Sequence, residues 1–203
     1  MIAIIDYGAG NIFSVKNALD YIGVSSQLTD KRSDIINADG IILPGVGAFP
    51  HAVNMLEKSG LIDTIKEQAV QKPFLGICLG MQLLFDKGYE FEEADGLGLI
   101  GGNVKLMEVG ELTLPHIGWN KLEINHDCPL MHGIGEEYVY FVHSYAAECS
   151  PDDVAAYCDY AGKRTALVNR GTVYGAQFHP EKSGAVGLKM LKNFAGMVKG
   201  GQV

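Results

Sequence analysis

The first half of the chain alternates short apolar runs with stretches of helical periodicity, and few architectures accept that alternation. IAIIDY (residues 2–7), GIILP (40–44) and PFLGIC (73–78) are β-rich runs with almost no polar positions, so each needs cover on both faces. Between them, IFSVKNALDYIG sets Ile12, Val15, Ala18, Leu19 and Ile22 at helical spacing, and HAVNMLEKSGLIDTIKEQAVQ reads as two helical segments parted at Ser59-Gly60. SSQLT is a weaker strand. This order predicts parallel strands with helices on both faces. After about residue 88 the texture changes. NVKLMEV, HIGWNKLEI, EEYVYFVHSYAAE, DVAAYCDY, KRTALVNRG and TVYGAQF follow one another as β-rich segments, expected to add antiparallel strands to the sheet. A helix is expected from Gly184 to Val198, where Val186, Met190, Leu191, Phe194 and Val198 form an apolar stripe. The fold class is therefore α/β, with a mixed, mostly parallel central sheet, and 203 residues suit one domain over positions 1–203.

Bulk properties narrow the function. A formal net charge of −8 argues against a phosphate-backbone partner, which favours a basic face. No apolar run reaches the roughly 20 residues of a membrane span, and MIAIIDYG has no basic start like that of a signal peptide, so a cytoplasmic protein is expected. Cys78, Cys128, Cys149 and Cys158 contain no C-x-x-C pair, which speaks for free thiols rather than a zinc cage or a disulfide framework. Glycine supplies 26 of 203 residues, nearly twice average usage, so many backbone positions need left-handed conformations or close approach.

One junction stands out chemically. PFLGIC delivers Cys78 to the carboxyl end of a strand, where ligands gather in parallel sheets. Gly76-Ile77-Cys78-Leu79-Gly80 is the thiol counterpart of the G-x-S-x-G nucleophile elbow: a strained residue between glycines whose missing side chains permit the sharp turn. A helix starting at Leu79 would favour thiolate through its dipole and offer the Leu79 N–H to a developing oxyanion. The plain alternative is a buried cysteine at a glycine-rich strand end. A nucleophilic cysteine also needs a base, and the base an orienting acceptor. TVYGAQFHPEKSG supplies both: His179 leaves a β-rich run, Pro180 stiffens the turn, and Glu181 follows within reach of the imidazole. His51, His126 and His132 lie in polar or helical contexts and read as surface residues; His116 and His143 stay open.

GICLGMQ (76–82) together with His179-Pro180-Glu181 resembles the class I (triad) glutamine amidotransferases. IIDYGAGN, LPGVGAF (43–49), PHIGWN (115–120), YFVHSY (140–145) and FHPEKSG (178–184) extend the likeness, segment by segment, to the branch that supplies ammonia for histidine biosynthesis. The resemblance implies a flavodoxin-like fold and glutamine hydrolysis by Cys78, His179 and Glu181. It also implies an oxyanion loop at Gly45, Val46 and Gly47 assisted by Leu79, and glutamine contacts from Gln82, His143, Ser144 and Tyr145. It implies a heterodimer with a (β/α)8-barrel cyclase through Asn11, Trp119, Asn120 and Lys182, and chemistry without cofactor or metal. Strand packing is the alternative role for residues 143–145, and core packing for Trp119. There is no G-x-x-x-x-G-K-[ST], and GAGN reads as a tight turn. Two other functions remain open. One is the glutaminase of a different synthase, which HIGWN and GAGN count against. The other is a cysteine peptidase of similar fold, which would not need Gln82 or the PGVG loop, or a redox binding module, which would not need His179 and Glu181.

Overall fold

The computed structural model describes residues 1–198; positions 199–203 of the expected domain lie outside the described residues. In chain order the elements are β1 (Ile2–Ile5), α1 (Ile12–Tyr21), β2 (Ser26–Thr29), α2 (Arg32–Asn37), β3 (Gly40–Gly45), α3 (Phe49–Ser59), α4 (Ile62–Ala69), β4 (Phe74–Cys78) and α5 (Leu79–Gln82). There follow β5 (Lys87–Gly88), β6 (Ala94–Asp95), β7 (Gly102–Leu106), β8 (His116–Lys121), β9 (Glu123–Ile124), β10 (Tyr138–His143), β11 (Tyr145–Cys149), β12 (Val154–Asp159), β13 (Lys163–Arg170), β14 (Val173–Ala176) and α6 (Gly184–Val198).

The central sheet runs β2-β1-β3-β4-β14-β13-β12-β9. The first five strands are mutually parallel and the last three join antiparallel. Every residue of β1, β3, β4 and β14 is buried, as two-sided cover requires. Side chains alternate between two cores. Ile4, Ile42, Leu75 and Ile77 face Leu19 of α1 and Leu191 and Phe194 of α6. Ile5, Ile41, Leu43 and Phe74 face Ile35 of α2, Phe49 and Leu56 of α3, and Ile65 of α4. The period of two thus builds a three-layer sandwich.

Four expectations need correction. Helix α2 is absent from the sequence reading because its six residues bury only Ile35 and carry no apolar stripe. Helix α3 begins at Phe49, earlier than read, because Pro50 suits a first turn, where its missing N–H is not needed. Not all the later strands join the main sheet: β8 and β10 pair alone as a ribbon, and β11-β7-β5-β6 form a third sheet. EEYVYFVHSYAAE is accordingly two strands in two sheets, broken at Ser144.

The topology assembles the edge of interest. β4 lies between β3 and β14, all parallel, with Gly45 opposite Cys78 and Ala176 opposite Ile77. The carboxyl ends of three strands distant in sequence therefore open at one place.

Candidate active site

Cys78 has φ 54° and ψ −113°, a left-handed backbone conformation that costs a non-glycine residue of order 1–3 kcal/mol. The glycines around it are dictated by contact. A Cβ on Gly80 would lie 1.9 Å from the Leu43 carbonyl oxygen, and one on Gly76 would lie 2.6 Å from the Gly80 carbonyl oxygen. Backbone packs on backbone here, and the bend cannot relax. The helix after it is a single turn, Leu79–Gln82, shorter than the sequence suggests. Its dipole is correspondingly small. What the junction offers is the Leu79 N–H, which as the first of the turn has no carbonyl within the helix to bond.

His179 is held by its backbone before its side chain is considered. Its N–H donates to the Tyr140 carbonyl (3.0 Å), and its carbonyl accepts from the Ser183 hydroxyl (2.7 Å), which in turn accepts from the Tyr140 N–H (3.0 Å). The ring Nδ1 meets Glu181 Oε1 at 2.7 Å, with both side chains almost fully buried. Nδ1 thus carries the hydrogen that donates to the carboxylate, and Nε2 is directed away from it. Nε2 has no partner of ordinary hydrogen-bond geometry. His179 and Cys78 line one cavity of about 370 Å³. Burial alone would lower the imidazole pKa, but the nearby thiol and the Glu181 carboxylate outweigh it and push the value up to about 9.

The cavity gathers most of the expected residues: Val46, Gly47, Leu79, Gln82, His143, Ser144 and Tyr145 line it together with Cys78 and His179. Gly45 ends β3 beside Cys78. Gly47, at φ 105°, occupies a conformation suited to glycine. The amide of Gln82 is turned inward, its nitrogen donating to the Tyr145 carbonyl (3.1 Å) and to Gln177 Oε1 (3.0 Å). His143 and His116, left open by the sequence, are a buried pair whose rings meet Nε2 to Nδ1 at 3.2 Å. Burial holds the His143 pKa down to about 4 and lowers that of His116 as well.

The residues expected at a partner interface lie elsewhere. Asn11 sits half-buried at the start of α1. Trp119 is 56% exposed, its ring set edge-on to Tyr140, so it is not a core residue. Asn120 is half-buried with its amide donating to the Asp159 carbonyl at 2.8 Å, and Lys182 is exposed in the turn Pro180–Lys182. His51 and His132 are exposed, as read, whereas His126 is half-buried with an unpartnered Nε2.

Sequence reasoning missed several participants. Gln177 is fully buried, bonds Gln82, and points its amide nitrogen at the Cys78 sulfur from 4.0 Å. Its place two residues before His179, on the same face of an extended segment, was a usable signal. Glu90, the carboxylate lining the cavity, also accepts the Phe49 N–H at 2.8 Å. It reaches the rim from the turn between β5 and β6, and nothing local in the sequence marks it. Burial raises the thiol pKa of Cys128, of Cys149 to about 11 and of Cys158 to about 12, so these three are packing residues. Among the described residues no group of three or more His, Cys, Asp or Glu is arranged to hold a metal, and no helix is long and apolar enough to cross a membrane.

Comparison with known proteins bears on the family and the fold. The family model described as glutamine amidotransferase class-I matches residues 3–197. A Bacillus cereus (strain B4264) protein named imidazole glycerol phosphate synthase subunit HisH is 48% identical over 201 residues, covering 98% of this chain and 96% of that one. A Listeria innocua protein of the same name is 50% identical over 196 residues, covering 96% and 94%. A solved structure titled as a glutamine amidotransferase superposes with a TM-score of 0.77 at 18% identity, covering 98% of this chain and 100% of that one, which bears on the fold alone. With a family match over nearly its whole length, the chain belongs to the class-I glutamine amidotransferases.

Proposed function

We propose that this chain is the glutamine-hydrolysing subunit of an imidazole glycerol phosphate synthase, working as one cytoplasmic domain. The observation that carries the reading is the buried His179, with one ring nitrogen on Glu181, the other unpartnered, and the residue lining one cavity with Cys78. The names of the relatives supply the pathway.

With its pKa at about 9, His179 is protonated at neutral pH and stabilises a Cys78 thiolate beside it. The thiolate attacks the side-chain amide carbon of glutamine. The tetrahedral oxyanion is met by the Leu79 N–H and by peptide groups of Gly45, Val46 and Gly47, each such donor being worth roughly 3–4 kcal/mol. His179 gives its proton to the departing ammonia, leaving a thioester on Cys78. The now neutral imidazole takes a proton from water, the hydroxide hydrolyses the thioester, and glutamate leaves. Glu181 holds the tautomer throughout. Glu90 offers charge complementarity to the α-ammonium of glutamine, while Gln82 and residues 143–145 shape the wall around its carboxylate. The ammonia passes to a (β/α)8-barrel cyclase bound through the surface that carries Asn11, Trp119, Asn120 and Lys182. There it is consumed in forming imidazole glycerol phosphate and aminoimidazole carboxamide ribotide.

The test is covalent labelling by a glutamine-mimicking diazo ketone in the presence of the cyclase subunit, mapped by mass spectrometry. Label is expected on Cys78, with protection by glutamine, and Cys78→Ala is expected to lose at least about 10⁴-fold in turnover while still binding the cyclase. Label on another cysteine, or residual turnover in Cys78→Ala, would reject the triad. Full activity of the chain without its partner would reject the coupling.

A further inference from the structure

A side-chain hydrogen-bond chain runs through the ribbon of β8 and β10 into the cavity wall, and its direction can be worked out bond by bond. His143 Nδ1 lies 2.8 Å from the Tyr145 carbonyl, which can only accept, so Nδ1 carries the hydrogen. In the neutral ring Nε2 is then bare, and the hydrogen in its 3.2 Å contact with His116 must sit on His116 Nδ1. His116 Nε2 is bare in turn and accepts from the Asn120 amide at 3.4 Å. The far end is equally determined. The Tyr145 carbonyl takes a second hydrogen from Gln82, whose amide also donates to Gln177.

His116 itself is clamped. Its ring stacks on Tyr160 with centroids 3.9 Å apart and on Phe141 at 5.0 Å, and the Tyr160 hydroxyl is tied to the Thr113 carbonyl at 2.6 Å. It is 3% exposed and stands directly opposite His143 in the ribbon register. A two-stranded ribbon has little stability of its own, so an interior polar link at its cavity end supplies rigidity that packing does not.

We infer that His116 is a positioning residue for glutamine: through its Nδ1–H it holds His143 in one tautomer and orientation, and thereby holds the Tyr145 carbonyl and Gln82 in place on the cavity wall. This rests on the glutaminase reading above but adds a residue that touches neither substrate nor triad. A histidine at this position does two jobs at once, since it fills an aromatic stack and carries a donor and an acceptor on opposite edges. Phenylalanine would fill the stack and leave His143 Nε2 buried without a partner.

The test uses the chain in complex with its cyclase. In His116→Phe the KM for glutamine is expected to rise about tenfold with kcat within about threefold, because the wall is loosened while the triad is untouched. His116→Asn, whose amide keeps a donor near the Nδ1 position, is expected to return KM to within about threefold of the wild type. Nitrogen-15 histidine spectra of the unmutated complex at pH 7 are expected to show both His143 and His116 neutral and protonated at Nδ1. An unchanged KM in His116→Phe, equal damage in His116→Asn, or a proton on His143 Nε2 would overturn the inference. If a variant fails to fold, the spectra of the unmutated protein decide. Should the wild-type complex hydrolyse no glutamine, the functional reading falls, and the tautomer measurement still judges the hydrogen-bond chain.

Discussion

Two walls of one cavity are built on opposite principles. The wall that carries Cys78 comes from β3, β4 and β14, five-residue-scale parallel strands buried on both faces, where main chain presses on main chain around Gly76 and Gly80. The facing wall comes from the β8–β10 ribbon and the first residue of β11, where His116 and His143 are placed by side-chain hydrogen bonds and the Tyr145 carbonyl takes a hydrogen from Gln82 of α5. Cys78 is thus positioned by hard contacts of main chain on main chain. The groups of the facing wall are positioned by polar links of about 1 kcal/mol each, which are individually adjustable. A strained residue survives only where its surroundings over-determine it, so the stiff wall is the one that holds the elbow.

The sharpest way to break this contrast is Gly80→Ala. Its Cβ would overlap the Leu43 carbonyl, and unfolding free energy is expected to fall by at least about 3 kcal/mol in a urea titration. A loss below 1 kcal/mol would mean the stiff wall can yield after all. Ser183→Ala probes the other principle at the base. It removes the hydroxyl that accepts from Tyr140 and donates to the His179 carbonyl, and a loss of about 1–3 kcal/mol is expected.

The titration of the two walls differs in sign, and this sharpens the comparison without mutation. His179 has a folded-state pKa of about 9, above the ordinary histidine value near 6.5. Its contribution to stability is therefore complete below pH 6.5 and lost as pH rises through 9, and kcat/KM for glutamine is expected to decline above about pH 9 as the proton destined for ammonia is lost. His143 is held at about 4, so its contribution is complete above pH 6.5 and lost as pH falls from there through 4. Urea titrations across pH, repeated in His143→Phe, separate the two: the acid-side slope is expected to shrink in that variant while the alkaline-side slope stays. The smallest effect on stability is expected for Trp119→Ala, within about 0.5 kcal/mol because the ring is 56% exposed, with weakened binding of the cyclase measured by calorimetry. A large loss of stability there would place Trp119 in the structural wall rather than on the partner surface.

Legibility followed the same division. β1, β3, β4 and the elbow were readable because buried parallel strands have an unbroken apolar signature and because glycines at close contacts are visible one by one. His179 and Glu181 were readable because their spacing along the chain is also their spacing in space. Gln177, Glu90, Ser183 and His116 were not read as functional, since each acquires its role from a residue far away in sequence. The break at Ser144 was hidden for a related reason: alternation continues through it unchanged while the strands on its two sides join different sheets.

What the amino-acid order determined alone was therefore the set of elements whose causes are local: which runs must be buried, where the chain can bend sharply, and which imidazole has a carboxylate beside it. Only the tertiary structure decided how β14 comes to lie against β4, and with it the meeting of Cys78 and His179 across one cavity. It also decided that His116 and His143, left open by the sequence, would be a buried pair in ring-to-ring contact. The reason is physical. Strand neighbours, burial and hydrogen-bond direction depend on the free energy of the whole packed chain, and no short window of sequence contains them.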